Sequence, residues 1–320
     1  MSDTLHICGL TAERGQKLQT YLPVLDTTTE IPLTIINGCN DGPTLLITAG
    51  IHGGEYPGIA AAMELARDLE SESVSGCLLI LHAVNIQSFW ERRAFVTPDD
   101  GKNLNREFPG NVNGTLSQKT AWLLSQYFFP VADFYADLHS GDLHEELHPY
   151  VYYPGLPTAE ISAQAREIAQ VLDLEFMVRS TATTGAYNYA AVAGVPSILI
   201  ERGGAGLCRR EDIDAYKKDL HNILCKLGLL SSDPQPQKHR PVDVTNVIYL
   251  ATEQSGCWFP HFRCGDKIKQ GDKLGCLTDL FGTTIATYYA EQDGIILYQC
   301  PALAAPEATI LVTYGKVQDN

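Results

Sequence analysis

Apolar residues recur along the first two thirds of the chain in two alternating textures. Residues 44–49 (TLLITA) and 77–84 (CLLILHAV) are short, almost unbroken apolar runs, the pattern of strands buried on both faces of a sheet. Between them, 57–70 (PGIAAAMELARDLE) carries apolar residues at helical spacing directly after a proline, which suits the first turn of a helix. Strand, helix, strand predicts a parallel pair joined by a crossover. The alternation continues, with helical spacing over 118–128, 159–172 and 211–227 and strand-like runs over 132–138 and 197–201. The expected architecture is α/β: a mixed, largely parallel sheet with helices on both faces.

A polar, proline-rich stretch, SSDPQPQKHRPVD at 231–243, then reads as a linker. Beyond it the texture changes to short β-like runs between glycine turns: VIYLATE, GCWFPHF, IILYQC and ATILVTY. The expected organisation is an α/β domain over 1–230, a linker over 231–243 and a small all-β domain over 244–320. In the last of these, CGDKIKQGDKLGCL repeats Gly-Asp at 265–266 and 271–272 and resembles a lipoyl/biotinyl carrier barrel. Such a carrier needs a lysine on an exposed hairpin, and no lysine occurs between Lys273 and Lys316. A lid or wall for the first domain's site, or an oligomerisation surface, is expected instead.

Composition narrows the partners. With 320 residues the chain can bury a substantial core, and its formal charge of −15 disfavours nucleic acid and anionic membranes, which need clustered Lys and Arg. No window reaches the roughly 18 uninterrupted apolar residues of a membrane span, and the start lacks a basic region followed by a long apolar stretch, so the expected location is the cytoplasm. Nine cysteines, an odd number without a CxxC pair, fit reduced thiols better than a disulfide framework. A small molecule is the expected partner, and a homo-oligomer is an open alternative.

Four separate stretches carry the candidate chemistry. IHGGEYPG places His52 and Glu55 where a strand hands over to a helix, the position at which open α/β sheets bind ligands. YADLHSGD places His139 directly after an apolar strand. Two imidazoles and a carboxylate on neighbouring loops form the three-protein-ligand set of a catalytic zinc. Asp137, two residues before His139, has two readings: it orients an imidazole from behind, or the alternation of the strand points it elsewhere. The bland readings are a surface turn for HGGE, a core histidine for His82 and a mobile rim loop for His144 and His148. A hydrolase also needs a base that is not a ligand, and Glu201 in PSILIERGGAG fits, ending an apolar strand before two glycines. Its alternative is a salt bridge to Arg202. The last stretch, ERRAFVTPDDGKNLNREFPG at 91–110, packs arginines and asparagines among turn residues, suited to recognising a carboxylate and polarising a carbonyl; its bland reading is a solvated loop. Tyr187 and Tyr189 in GAYNYAAVAGVP are candidates for the pocket or for core packing.

HGGE, NLNREFPG, DLHSG and ILIERGG occur in the order and approximate spacing of the succinylglutamate desuccinylase/aspartoacylase family, relatives of zinc carboxypeptidases. The match spans about residues 40 to 205, and the β region after it also resembles that family's C-terminal domain. The resemblance implies one Zn2+ per subunit on His52, Glu55 and His139. It further implies Glu201 as general base and acid, Asn105 and Arg106 on the substrate, and an arginine, here Arg92 or Arg93, that helps polarise the scissile carbonyl. The implied activity of the 1–230 domain is a zinc-dependent amide hydrolase that removes the acyl group of an N-acyl amino acid or related small N-acyl amine. The longer TPDDGKNLNREFPG form is more similar to the broad group of bacterial deacylases than to an aspartate- or glutamate-specific enzyme. A metallocarboxypeptidase and a non-catalytic binding protein are the rival readings.

Overall fold

The computed structural model describes residues 4–318. Period-two alternation divides the apolar runs between two cores. In the strand Asn40–Ala49, Leu45, Ile47 and Ala49 enter one core while Leu46 enters the other. The strands Phe134–His139 and Ser197–Glu201 do the same, with Tyr135 and Leu199 opposite Ala136 and Ile200. A sheet apolar on both sides must be covered on both sides. The helices Tyr56–Asp68, Ala159–Ala169 and Arg210–Leu227 cover the first core, and Leu116–Leu123 and Ala186–Val192 the second. Arg210–Leu227 shows why it docks: Ile213, Tyr216, Leu220, Ile223 and Leu224 recur every three or four residues and are all buried.

The main sheet has 13 strands. Its centre runs in the order Ser75–Leu81, Asn40–Ala49, Phe134–His139, Ser197–Glu201, Tyr150–Pro154, Phe176–Ser180. Neighbours there are parallel except where Ser197–Glu201 meets Tyr150–Pro154. The expected parallel sheet is thus confined to the middle. On one side Gln16–Pro23 and Glu30–Asn37 add antiparallel, as two strands joined by a short turn must.

On the other side the sheet does not stop at the proline-rich stretch. Val242–Ala251 pairs in parallel with Phe176–Ser180, and Ile310–Val317, Gly294–Gln299 and Lys267–Ile268 follow antiparallel. The polar residues before Val242 are pinned to the first domain: Gln235 N donates to Asn222, and the Lys238 and His239 amides to Asp173. A separate small antiparallel sheet is built from Thr284–Tyr289, Lys273–Thr278, Gly256–Pro260 and Ala304–Ala305. Trp258, Leu274, Leu277, Ile296 and Leu311 lie in the core beneath it. Among the described residues no helix lies beyond Leu227, and none is long and apolar enough to cross a membrane. All nine cysteines are free thiols.

Candidate active site

Three adjacent parallel strands deliver the candidate residues at their carboxyl ends. His139 is the last residue of Phe134–His139, Glu201 is the last of Ser197–Glu201, and the two are register partners. Next to them, Asn40–Ala49 runs into the HGGE turn, which opens the helix Tyr56–Asp68. The glycines of that turn answer to close packing. A Cβ on Gly53 would sit 2.2 Å from the Phe89 amide nitrogen and 2.4 Å from the Ser88 carbonyl carbon. One on Gly58 would sit 2.9 Å from Leu138 Cβ, so the helix can approach the His139 strand only because no side chain intervenes.

The ligand atoms converge. His52 Nδ1 lies 2.7 Å from Glu55 Oε1, His139 Nδ1 lies 2.9 Å from Glu55 Oε2, and one ligand atom from each residue falls within a 4.8 Å cluster. Both imidazoles are gripped from behind. His139 Nε2 lies 3.2 Å from Asp137 Oδ2, and His52 Nε2 lies 3.1 Å from Asn103 Oδ1. Asp137 is itself held, its Oδ1 accepting from the Thr48 hydroxyl at 2.6 Å. The two nitrogens that face Glu55 are therefore presented in fixed orientation, as ligands of a metal are.

Burial and charge act strongly here. Burial opposes ionisation of Glu55, but His139 and His52 outweigh it and hold the carboxyl down to about 2. Burial likewise disfavours the charged form of His139, yet Glu55 and Asp137 together raise it well above the usual histidine value. Glu201 goes the other way. Burial, with the negative charge of Glu55 adding, pushes its carboxyl well above the ordinary range. Although the residue as a whole keeps some solvent contact, its Oε2 is sealed and has no hydrogen-bond partner. The salt bridge to Arg202 is absent: that guanidinium points the other way, donating from Nε to Asp219 at 2.6 Å and from Nη2 to the Asp173 carbonyl.

Other predicted residues are placed as follows. Asn105 is buried and spends its Oδ1 on the Ala186 amide at 2.8 Å, holding the start of the helix Ala186–Val192. Arg106 is exposed beside it and donates to the Asn105 carbonyl. Arg92 and Arg93 follow the helix Ile86–Glu91, both exposed at the rim. The Arg93 carbonyl lies 2.9 Å from where a Gly54 Cβ would be, and its guanidinium faces Glu91 at 3.6 Å, whereas Arg92 forms no ion pair among the described residues. His82 is a core histidine bonded to Thr34 at 2.7 Å, and burial brings its pKa down to about 4. His144 is exposed and His148 faces Glu175, so neither joins the cluster. Tyr187 is buried with its ring 6.4 Å from Tyr152, and Tyr189 packs on Phe129.

Residues outside the predicted set also belong to this place. Asn103 grips His52. A chain of hydroxyls runs from Tyr150 through Tyr152 to Tyr249, which brings the C-terminal strands to the edge of the site. Glu145 is the third: burial, then the charges of Asp142 and Glu55, push its carboxyl up to about 8. Tyrosines and acids scattered over this much sequence carry no short-range motif that would have marked them.

A model of the succinylglutamate desuccinylase/aspartoacylase catalytic domain matches residues 41–227, which contain the whole cluster. The chain belongs to this family. The succinylglutamate desuccinylase/aspartoacylase family comprises metal-dependent deacylases, and the His52, Glu55 and His139 triplet is the candidate metal site of this member. The N-alpha-acetyl-L-2,4-diaminobutyric acid deacetylase of Halomonas elongata is 29% identical over 276 residues, spanning 83% of this chain and 80% of that protein. The ectoine utilization protein EutE (DoeB) of Ruegeria pomeroyi, in its product-bound structure, superposes with a TM-score of 0.84 at 26% identity over 94% of each chain. A succinylglutamate desuccinylase from Silicibacter gives a TM-score of 0.83 at 26% identity over 94% of this chain and 93% of that one. These likenesses extend beyond the catalytic region, so the antiparallel C-terminal strands are part of the family fold.

Proposed function

We propose that this protein is a zinc-dependent amide hydrolase that removes the acyl group from a small N-acyl amino acid. The observation that carries the reading is the convergence of His52 Nδ1, His139 Nδ1 and the Glu55 carboxylate beside Glu201, whose buried Oε2 has no partner. Two nitrogens and a carboxylate, each fixed from behind, fit a zinc ion with a position left for water. When bound, the ion supplies Lewis-acid activation of that water and of the substrate carbonyl.

The chain's own residues do the rest. Glu201 accepts the proton of the attacking water and returns it to the leaving nitrogen, a role suited to a carboxyl whose proton affinity is raised by burial. Asp137 and Asn103 keep the two imidazoles oriented. Of the two rim arginines, Arg92, which has no ion pair, turns over the carbonyl, and Arg93 braces the HGGE turn through its backbone. Arg106 meets a substrate carboxylate at the rim, on a loop that Asn105 anchors to Ala186. Residues 1–230 carry the chemistry and residues 244–320 form one wall of the pocket, through Tyr249.

The relatives support a small N-acyl amino compound, and the substrate in the name of the Halomonas enzyme, an N-acetylated diamino acid, belongs in the first panel tried. The test is free-amine release by zinc-loaded protein from N-acetyl, N-succinyl and longer N-acyl amino acids and diamines, with short peptides alongside. Release from one acyl-amine class, abolished by a chelator, is expected. Release only from peptide carboxyl ends would transfer the assignment to a carboxypeptidase.

A further inference from the structure

One helix reaches two of the strand ends that carry the site. Of the five residues that Arg210–Leu227 turns into the first core, Ile213, Leu220, Ile223 and Leu224 are hydrocarbon, and Tyr216 alone brings a hydroxyl. Tyr216 is fully buried, so that hydroxyl needs a partner. It has two. Its single proton is shared between the Ile200 carbonyl, at 2.9 Å, and the His139 carbonyl. A hydrocarbon at this position would fill the same core and leave both carbonyls short of a donor.

The two acceptors lie on different strands, and each belongs to a peptide unit that aims a site residue. His139 and Glu201 are register partners at the carboxyl ends of Phe134–His139 and Ser197–Glu201. The side chains of Leu138 and Ile200 enter the first core with Tyr216, so period-two alternation turns those of His139 and Glu201 the other way. The phenol therefore reaches backbone only: the carbonyl of His139 itself, and the carbonyl of Ile200, whose peptide carries the Glu201 amide. One turn along the helix, Asp219 accepts from Arg202 Nε at 2.6 Å. Glu201 is thus flanked, with the peptide before it held by Tyr216 and the side chain after it held by Asp219. The Arg202 amide closes the group by donating to the His139 carbonyl at 3.3 Å.

We propose that Tyr216 is a positioning residue of the hydrolase: by joining the backbone of His139 to that of Glu201 through one hydroxyl, it holds the base at a fixed offset from the metal ligands. The proposal rests on the deacylase reading and goes beyond it. The offset matters because a productive constellation tolerates errors of only about 0.5 Å, and a misplacement of about 1 Å costs about 100-fold in rate. Pairing sets the register of the two strands, and Tyr216 fixes the tilt of the peptides at their ends.

The experiment compares wild type with Tyr216→Phe, which keeps the ring and removes the hydroxyl, and with Leu220→Val, which loosens the same core one turn along the same helix. Zinc content, kcat, KM and Tm are measured on each, together with the visible absorption of the cobalt-substituted protein, which reports the geometry of the ligand set. Tyr216→Phe should bind one zinc per chain, lose about 10- to 100-fold in kcat with KM little changed, and shift the cobalt spectrum. Leu220→Val should lower Tm to a similar extent yet keep the wild-type kcat and spectrum. A Tyr216→Phe protein with wild-type kcat and spectrum, or two variants whose kcat falls in step with Tm, would overturn the proposal. An active wild type with an equally active Tyr216→Phe leaves the deacylase standing and removes this role alone. A wild type that binds metal but cleaves no acyl compound fails the deacylase reading, and the cobalt spectra then decide the positioning: a shift confined to Tyr216→Phe supports it, and identical spectra remove it.

Discussion

The Oδ2 atom of Asp137 lies 3.2 Å from Nε2 of His139, on the far side of the imidazole from Glu55. That contact fixes the ring with Nδ1 turned inward, the orientation a metal ligand at this candidate site requires. Asp137→Asn should lower zinc affinity about 10- to 100-fold without changing ligand number. Competition against a chromophoric chelator measures this, and an unchanged affinity would show that His139 needs no such support.

Glu201→Gln retains the size of the side chain and removes its basicity. Zinc content should stay at one per chain while kcat falls by about 10^2- to 10^4-fold, the usual worth of a general acid-base group. Metal analysis and turnover on the same preparation decide it, and an active variant would refute the assignment.

Gly53 has no room for a methyl group, with backbone of Ser88 and Phe89 within 2.4 Å of where it would go. Gly53→Ala should displace the turn that carries His52 and Glu55. Loss of zinc affinity out of proportion to the fall in Tm is expected, because the strain is local to the ligands. A variant that binds zinc normally would mean that the helix Ile86–Glu91 yields instead.

Arg202 and Asp219 form a buried ion pair that ties the end of the Glu201 strand to the helix Arg210–Leu227. Asp219→Ala leaves the guanidinium buried and unpaired and should cost about 3–5 kcal/mol of stability. Urea unfolding reads this directly; a cost below about 1 kcal/mol would mean that water or the Asp173 carbonyl takes over.

His82 contributes a pH dependence distinct from that of the active site. Burial lowers its pKa from 6.5 to about 4, so the unfolded chain binds the proton more readily than the folded one between those values. Its contribution is complete above pH 6.5 and is lost as pH falls towards 4, about 3 kcal/mol over the full window. Wild type should lose about 2 kcal/mol more than His82→Gln between pH 7 and pH 5. Parallel urea titrations at the two pH values test the sign as well as the size.

Much of this site is legible in the sequence because its parts are local. HGGE, DLHSG and ILIERGG each sit at the end of an apolar strand, and parallel pairing brings strand ends together without further information. What local pattern misses is long-range. Asn103 meets His52 across 51 residues, and its neighbour Asn105, expected at the substrate, has its Oδ1 engaged by a helix 81 residues away. The strand Gln16–Pro23 stayed unread because it is an edge strand whose exposed positions are mixed with partly buried ones, leaving no clean apolar run. The texture change after residue 243 is real, yet texture cannot reveal that Val242–Ala251 pairs with Phe176–Ser180 and continues the same sheet.

That continuity bears on how the polypeptide is made. The strand Phe176–Ser180 takes Val242–Ala251 as its neighbour, which in turn needs Ile310–Val317 to complete its other side. While the chain emerges from the ribosome, the candidate site residues up to Glu201 can assemble, but a ladder of unpaired backbone groups stays open until Ile310–Val317 arrives. The strand Ile310–Val317 therefore seals the sheet, and a stop before it would leave a sticky edge beside an otherwise assembled candidate site.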